Sequence, residues 1–118
     1  MNQHNNNRHN KIDYIEFPAS ETGAAKHFYS SVFGWKFTDY GPAYTSFEDG
    51  RLTGGFQANA AAASHKPLVV LYAQDLEACL AAVQTGGGKI VREIFAFPGG
   101  RRFHFADPAG NELAVWSE

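Results

Sequence analysis

The sequence predicts an α+β domain: two tandem βαβββ modules whose strands form a curled mixed sheet around a cleft, with the helices outside. Three observations carry this reading. A strand-like stretch followed by an amphipathic helix occurs twice, at residues 12–33, where it alternates, and again at 68–85, where it is rich in β-branched and aliphatic residues. Each helix opens behind a capping residue, Ser20 or Asp75, and stops at glycine, Gly34 or Gly88. Each half then closes on a hairpin turned by an aspartate, at Asp49-Gly50 and at Asp107-Pro108-Ala109-Gly110-Asn111. One such half leaves an open sheet edge and an uncovered face, so the two are expected to combine. The boundaries read as a disordered tail at 1–10 and a single domain at 11–118. Within the domain, module 1 spans 11–58, a linker 59–66 and module 2 67–118.

In Ile12-Asp13-Tyr14-Ile15-Glu16-Phe17 the period of two places Ile15 and Phe17 on one face and Tyr14 and Glu16 on the other. Pro18 is expected to end that strand. The helix that follows carries Ala24, Ala25, Phe28, Tyr29, Val32 and Phe33 as an apolar stripe that packs on a sheet. Strands are then expected at 35–40, 44–48 and 52–57. Asn59 to Lys66 is small, polar and patternless, as a linker is. Leu68 to Ala73 restarts the pattern, and Asp75 caps a helix with Leu76, Cys79, Leu80 and Val83 on one stripe. Strands at 89–93, 101–106 and 111–116 complete the second module.

Composition excludes several classes of function. A chain of 118 residues is one domain's worth and buries roughly two-thirds of its unfolded surface. A net charge of −2 gives no electrostatic support to a nucleic-acid or anionic-membrane partner. The single cysteine, Cys79, rules out an internal disulfide and reads as an inert core thiol. No apolar run reaches the length of a membrane span and the N-terminus lacks a signal-peptide core, so a cytoplasmic location is expected. His4 and His9 fall in the tail, His65 in the linker, and His27 on a solvated helix face.

The two βαβββ units, the helix exit Phe28-Tyr29…Phe33-Gly34-Trp35 and the terminal Asp107–Asn111 hairpin resemble the vicinal oxygen chelate superfamily of glyoxalases, bleomycin-resistance proteins and extradiol dioxygenases. The resemblance covers residues 11–116 and implies a homodimer and, in the metal-dependent members, a divalent ion that polarises two neighbouring substrate oxygens. Residue by residue, the ligand positions that the resemblance implies fall on Tyr14, Leu68, Ala114 and the neighbourhood of Gly55, with Gln57 nearby. Leu68 and Ala114 have no lone pair to donate, and a phenol is a rare ligand for such ions. No cofactor is therefore expected, and a divalent metal is not supported at these positions.

The candidate ligand contacts are Tyr14, Glu16, Trp35, Tyr44, Phe56, Tyr72 and His104, with Phe95 a further aromatic of the same kind. Glu16 is a candidate general base, or else pairs with Arg101 or Arg102; His104 is a candidate acid–base group or ligand-anchoring donor. The leading expectation is a small-molecule-binding protein of the bleomycin-resistance type without the family's metal ligands. A glyoxalase-like or lyase-like enzyme using Glu16 or His104 as acid or base, with or without an atypical metal, is the alternative. A dimeric interaction protein with a collapsed cleft is a third.

Overall fold

The computed structural model describes residues 8–58 and 66–118. Its strands are β1 (Lys11–Ala19), β2 (Lys36–Asp39), β3 (Tyr44–Glu48), β4 (Thr53–Ala58), β5 (Leu68–Tyr72), β6 (Lys89–Phe97), β7 (Gly100–Ala106) and β8 (Glu112–Ser117). Helix α1 (Thr22–Phe33) follows β1, and helix α2 (Leu76–Thr85) follows β5, so each half runs βαβββ. The strands are hydrogen-bonded in the order β2-β3-β4-β1 in the first half and β5-β8-β7-β6 in the second, each with one parallel pair among antiparallel ones. The chain divides into two units: the first is Tyr14–Leu68, the second Val69–Glu118 with the N-terminal segment through Asp13. Among the described residues no helix is long and apolar enough to cross a membrane. The expected linker at 59–66 lies outside the described residues except for Lys66, and the expected tail is described from Arg8 onward.

In the first unit β1 and β4 run parallel with Glu16 opposite Gly55 and Phe17 opposite Phe56, while β3 is antiparallel to β4 with Ser46 opposite Gly55. Alternation then sends Phe17, Phe47 and Phe56 to one face. There Trp35 stacks on Phe47 at 4.5 Å and on Tyr29 at 4.7 Å, and Phe17 stacks on Phe56 at 5.2 Å between ring centroids. Such pairs contribute about 0.5–1.5 kcal/mol each beyond the area they bury.

Three local expectations are corrected here. Strand β1 continues through Pro18 to Ala19, because its parallel pairing with β4 runs on past the proline, Pro18 opposite Gln57 and Ala19 opposite Ala58. The N-cap of α1 is Glu21 rather than Ser20, and no side chain closes it. The apolar stripe of α1 is mostly uncovered: Phe28, Val32 and Phe33 are 50, 58 and 60 % exposed, because the helix meets the sheet along one edge of its stripe, through Tyr29 against Phe56. The helix ends as expected, with Gly34 at φ 75° and its N–H, together with that of Trp35, donating back to helix carbonyls.

The second unit repeats the plan with a better-buried helix. Asp75 caps α2 by accepting the Ala78 N–H at 3.0 Å. The left-handed residue after α2 is Gly87, at φ 101°, rather than Gly88. Leu76, Ala73, Phe103 and Val115 form a buried core, with Cys79, Leu80, Val83, Ile90 and Phe105 packed against it. Burial pushes the Cys79 thiol's pKa up, which keeps it an unreactive packing group. β6 is longer than expected and carries two register shifts against β7, flanking Arg92. The two aspartate turns match: Asp49 accepts the N–H groups of Arg51 and Leu52 at 2.8 and 2.7 Å, and Asp107 those of Ala109 and Asn111 at 2.9 and 2.8 Å.

Residues 8–10 belong to this unit's packing. The Asn10 N–H donates to the Tyr72 carbonyl at 2.7 Å and the Gln74 N–H to His9 Nδ1 at 3.0 Å. The Arg8 guanidinium lies 4.1 Å from the Tyr72 ring centroid and is 2.9 Å from a Glu118 carboxylate oxygen.

At Gly54 an added Cβ would collide with the Ile15 carbonyl and the Phe47 ring, neither of which can yield without moving the β1–β4 ladder. Gly54→Ala is therefore expected to cost about 1–3 kcal/mol, the range for overpacking a close-packed site, read as a shifted midpoint in denaturant unfolding. Gly50→Ala serves as the comparison, since its cost comes from positive φ at an open turn.

Candidate functional site

The helices and aromatic packing occupy one face of each unit's strands, so the residues of opposite parity carry the chemistry. In the first unit these are Tyr14 and Glu16 on β1, Tyr44 on β3, and Gly55 on β4. The Tyr14 and Tyr44 hydroxyls share a short hydrogen bond, and the Tyr44 hydroxyl also donates to Glu16 Oε2 at 3.3 Å. Gly55 lies beneath them: a Cβ there would meet the Tyr44 hydroxyl and stand 2.6 Å from Tyr14 Oη. Glycine is thus what allows the two phenols to close over β4. Burial first, then the bond to Tyr14 and the Glu16 charge, push the Tyr44 pKa far above the ordinary phenol range, so the group acts as a neutral donor.

In the second unit the corresponding face carries His104 on β7, with Ala114 opposite it on β8 and Arg92 opposite it on β6. His104 Nδ1 is 2.9 Å from Glu112 Oε2. An ionised carboxylate can only accept, so Nδ1 carries the proton and Nε2 is the lone-pair nitrogen of the neutral ring. That Nε2 is buried and has no hydrogen-bond partner among the described residues. Burial is the main cause lowering the His104 pKa, aided by the charges of Arg102 and Arg92 and opposed by Glu112. Phe95 lies 5.8 Å from the imidazole, with the Arg92 guanidinium 3.6 Å and that of Arg102 5.4 Å from its ring centroid.

The ladder register relates the corresponding positions of the two units. Gly55 faces Glu16 and Ala114 faces Val70, and each of those strand partners lies two residues after Tyr14 and Leu68 respectively. The donor set for a divalent ion does not fit. Leu68, Gly55 and Ala114 offer no ligating atom, and the space above Gly55 is taken by phenol oxygens. Among the described residues, no three His, Cys, Asp or Glu side chains gather as an ion's ligands would.

Of the seven proposed contact residues, the structure brings Tyr14, Glu16 and Tyr44 together. Trp35 and Phe56 lie on the opposite face, within the aromatic packing against α1, so they serve as core. Tyr72 is 2 % exposed, covered by Arg8, with its hydroxyl donating to Glu118. His104 sits apart from these in sequence and in unit, with Glu112 as its partner. Arg101 pairs with Glu77 at 2.6 Å, on the helix side of its strand. Residue-by-residue reading overlooked Glu112 and Arg92. Glu112 was findable, since it lies two residues before Ala114 and shares its face; Arg92 was not, because the register shifts in β6 decide where it points.

A model of the Glyoxalase/Bleomycin resistance protein/Dioxygenase superfamily matches residues 11–115. The anthracycline biosynthesis protein DnrV of Streptomyces peucetius is 29 % identical over 124 residues, covering 87 % of this chain and 45 % of DnrV. The chain thus spans less than half the length of that curated relative. The Mn(II)-bound glyoxalase from Novosphingobium aromaticivorans superposes with a TM-score of 0.67 at 24 % identity, covering 93 % of this chain and 39 % of the glyoxalase. Methylmalonyl-CoA epimerase from Mycobacterium tuberculosis gives 0.71 at 11 % identity, covering 90 % of this chain and 86 % of the epimerase. At these identities the structural likeness concerns the fold alone.

The lowered pKa of His104 has a signed consequence. The folded state favours the neutral ring, so the unfolded chain binds the extra proton first as pH falls. Its contribution to stability is present above the unfolded value of about 6.5 and is lost as pH drops below it through the folded pKa. Urea midpoints between pH 7 and pH 5 are expected to fall more for the native chain than for His104→Gln. The groups facing the ring, Glu112 on β8, Arg102 on β7 and Arg92 on β6, are common to both proteins.

Proposed function

This chain belongs to the Glyoxalase/Bleomycin resistance protein/Dioxygenase superfamily, and from that membership we propose that it is a small-molecule-binding domain that holds its ligand with tyrosine hydroxyls and Glu16 rather than through a coordinated ion. The observation that carries the reading is the closure of Tyr14 and Tyr44 over Gly55, at a position the family resemblance marks for an ion's ligand. A neutral, half-buried phenol pair beside a carboxylate is a set of oriented donors and acceptors. Such polar groups fix a small molecule's orientation while apolar contact supplies most of the affinity. A protein of this kind acts by sequestering its ligand unchanged. Its assembly as a homodimer in the cytoplasm is part of the same proposal.

One observation favours the enzymatic alternative: Glu112 fixes the tautomer of His104, as carboxylates orient general-base histidines in many active sites. If a substrate is found whose turnover survives both Glu16→Gln and His104→Ala, that alternative is eliminated.

The binding reading is tested by screening planar aromatic compounds bearing amide or hydroxyl groups for thermal stabilisation of the native chain. For a compound that binds, Tyr44→Phe is expected to weaken affinity about tenfold, the worth of one hydrogen bond to a buried partner, with unfolding still cooperative. Affinities equal in the native chain, Tyr14→Phe and Tyr44→Phe would overturn it.

A further inference from the structure

The second unit carries a polar group that the phenol reading does not use. In a regular strand Arg92 and Phe95, three residues apart, would point to opposite faces. The register shifts on either side of Arg92 place Arg92 opposite His104 and Phe95 opposite Arg102, and both side chains reach the His104 face. Bulges that re-aim side chains are concentrated next to binding sites. Here the result is two guanidiniums about one aromatic ring, beside an imidazole whose Nε2 is buried and without a hydrogen-bond partner among the described residues.

The chemistry of this group selects a ligand. Glu112 holds the proton on Nδ1, so Nε2 is an acceptor that calls for an O–H or N–H donor. A buried acceptor left unsatisfied destabilises its site, and a donor supplied by a ligand would relieve that cost. Arg92 faces His104 directly across the β6–β7 ladder, so the anion-binding group and the acceptor are cross-strand neighbours. A small ligand that meets both carries an anionic group and a hydroxyl on one short skeleton. Guanidiniums match a carboxylate in two-pronged fashion, and the nearby Glu112 charge favours a monoanion over a dianion.

We propose that the His104 face of the second unit is a binding site for a small hydroxycarboxylate, its carboxylate held by Arg92 and Arg102 and its hydroxyl donating to His104 Nε2. The proposal does not rest on what the phenols of the first unit bind.

The test uses 2-hydroxybutyrate, butyrate and inorganic phosphate as probes, followed by nuclear magnetic resonance of the ¹⁵N-labelled chain. Binding of 2-hydroxybutyrate is expected to be about fivefold tighter than that of butyrate, the worth of one net hydrogen bond of ~1 kcal/mol. It should shift the His104 Nε2 resonance, which butyrate leaves in place. Arg92→Gln, at an exposed position, is expected to weaken both acids severalfold, and His104→Gln to bring their affinities together. The tautomer signature is read in the native chain, so it decides the matter even where His104→Gln fails to fold. Equal affinity for the two acids, phosphate binding as tightly as 2-hydroxybutyrate, an unmoved Nε2 resonance, or no saturable binding of either acid would each overturn the proposal.

Discussion

The period of two along a β-strand is the constraint from which the rest of this molecule follows. Each unit lays one helix on one face of its strands, and the apolar residues of that parity are committed to packing: Phe17, Phe47 and Phe56 in the first unit, Phe103 and Val115 in the second. Every residue of the other parity is thereby placed on the opposite face. Tyr14, Glu16, Tyr44 and Gly55 share that face in the first unit, and His104, Arg102, Glu112 and Ala114 in the second. A slip of one residue in any ladder would exchange the two sets, exposing phenylalanines and burying charges. The stability of the aromatic packing and the position of the polar groups are one fact seen from two sides.

The same scaffold then supports two different chemistries. Around Gly55 the groups are neutral hydroxyls, closely bonded to one another, with a single carboxylate alongside. Around His104 they are charged, with a carboxylate on one ring nitrogen and guanidiniums about Phe95. The difference comes down to side chains at equivalent ladder positions: Ser46 stands where His104 does, facing Gly55 as His104 faces Ala114. The two halves share a backbone plan, and the side chains at equivalent positions give each its own polar face.

Much of this was legible in the residues. The two aspartate turns, the Asp75 cap, the Gly34 stop and the division of β1 into two faces rest on short-range rules that a single strand or turn satisfies by itself. What was not legible depends on contacts between elements. Ser20 has good capping chemistry, yet the chain enters α1 one residue later. The stripe of α1 has the pattern of a buried face, but only its edge is covered, and pattern alone cannot say how far a helix leans over its sheet. Trp35 and Tyr72 looked equally suited to a ligand; α1 claimed the first and Arg8 the second, the latter from a segment with no apolar periodicity to announce it. The irregular register of β6, which brings Arg92 and Phe95 to one face, has no signature in Lys89-Ile90-Val91-Arg92-Glu93.

We propose that Tyr14, Tyr44 and Glu16 hold a ligand without a coordinated ion. This is tested most directly by elemental analysis of the native chain after equilibration with Zn²⁺, Ni²⁺ and Mn²⁺ and removal of free ion by gel filtration. Substoichiometric metal is expected, unchanged in Tyr14→Phe and Glu16→Gln. One tightly held ion per chain, lost in either variant, would contradict it.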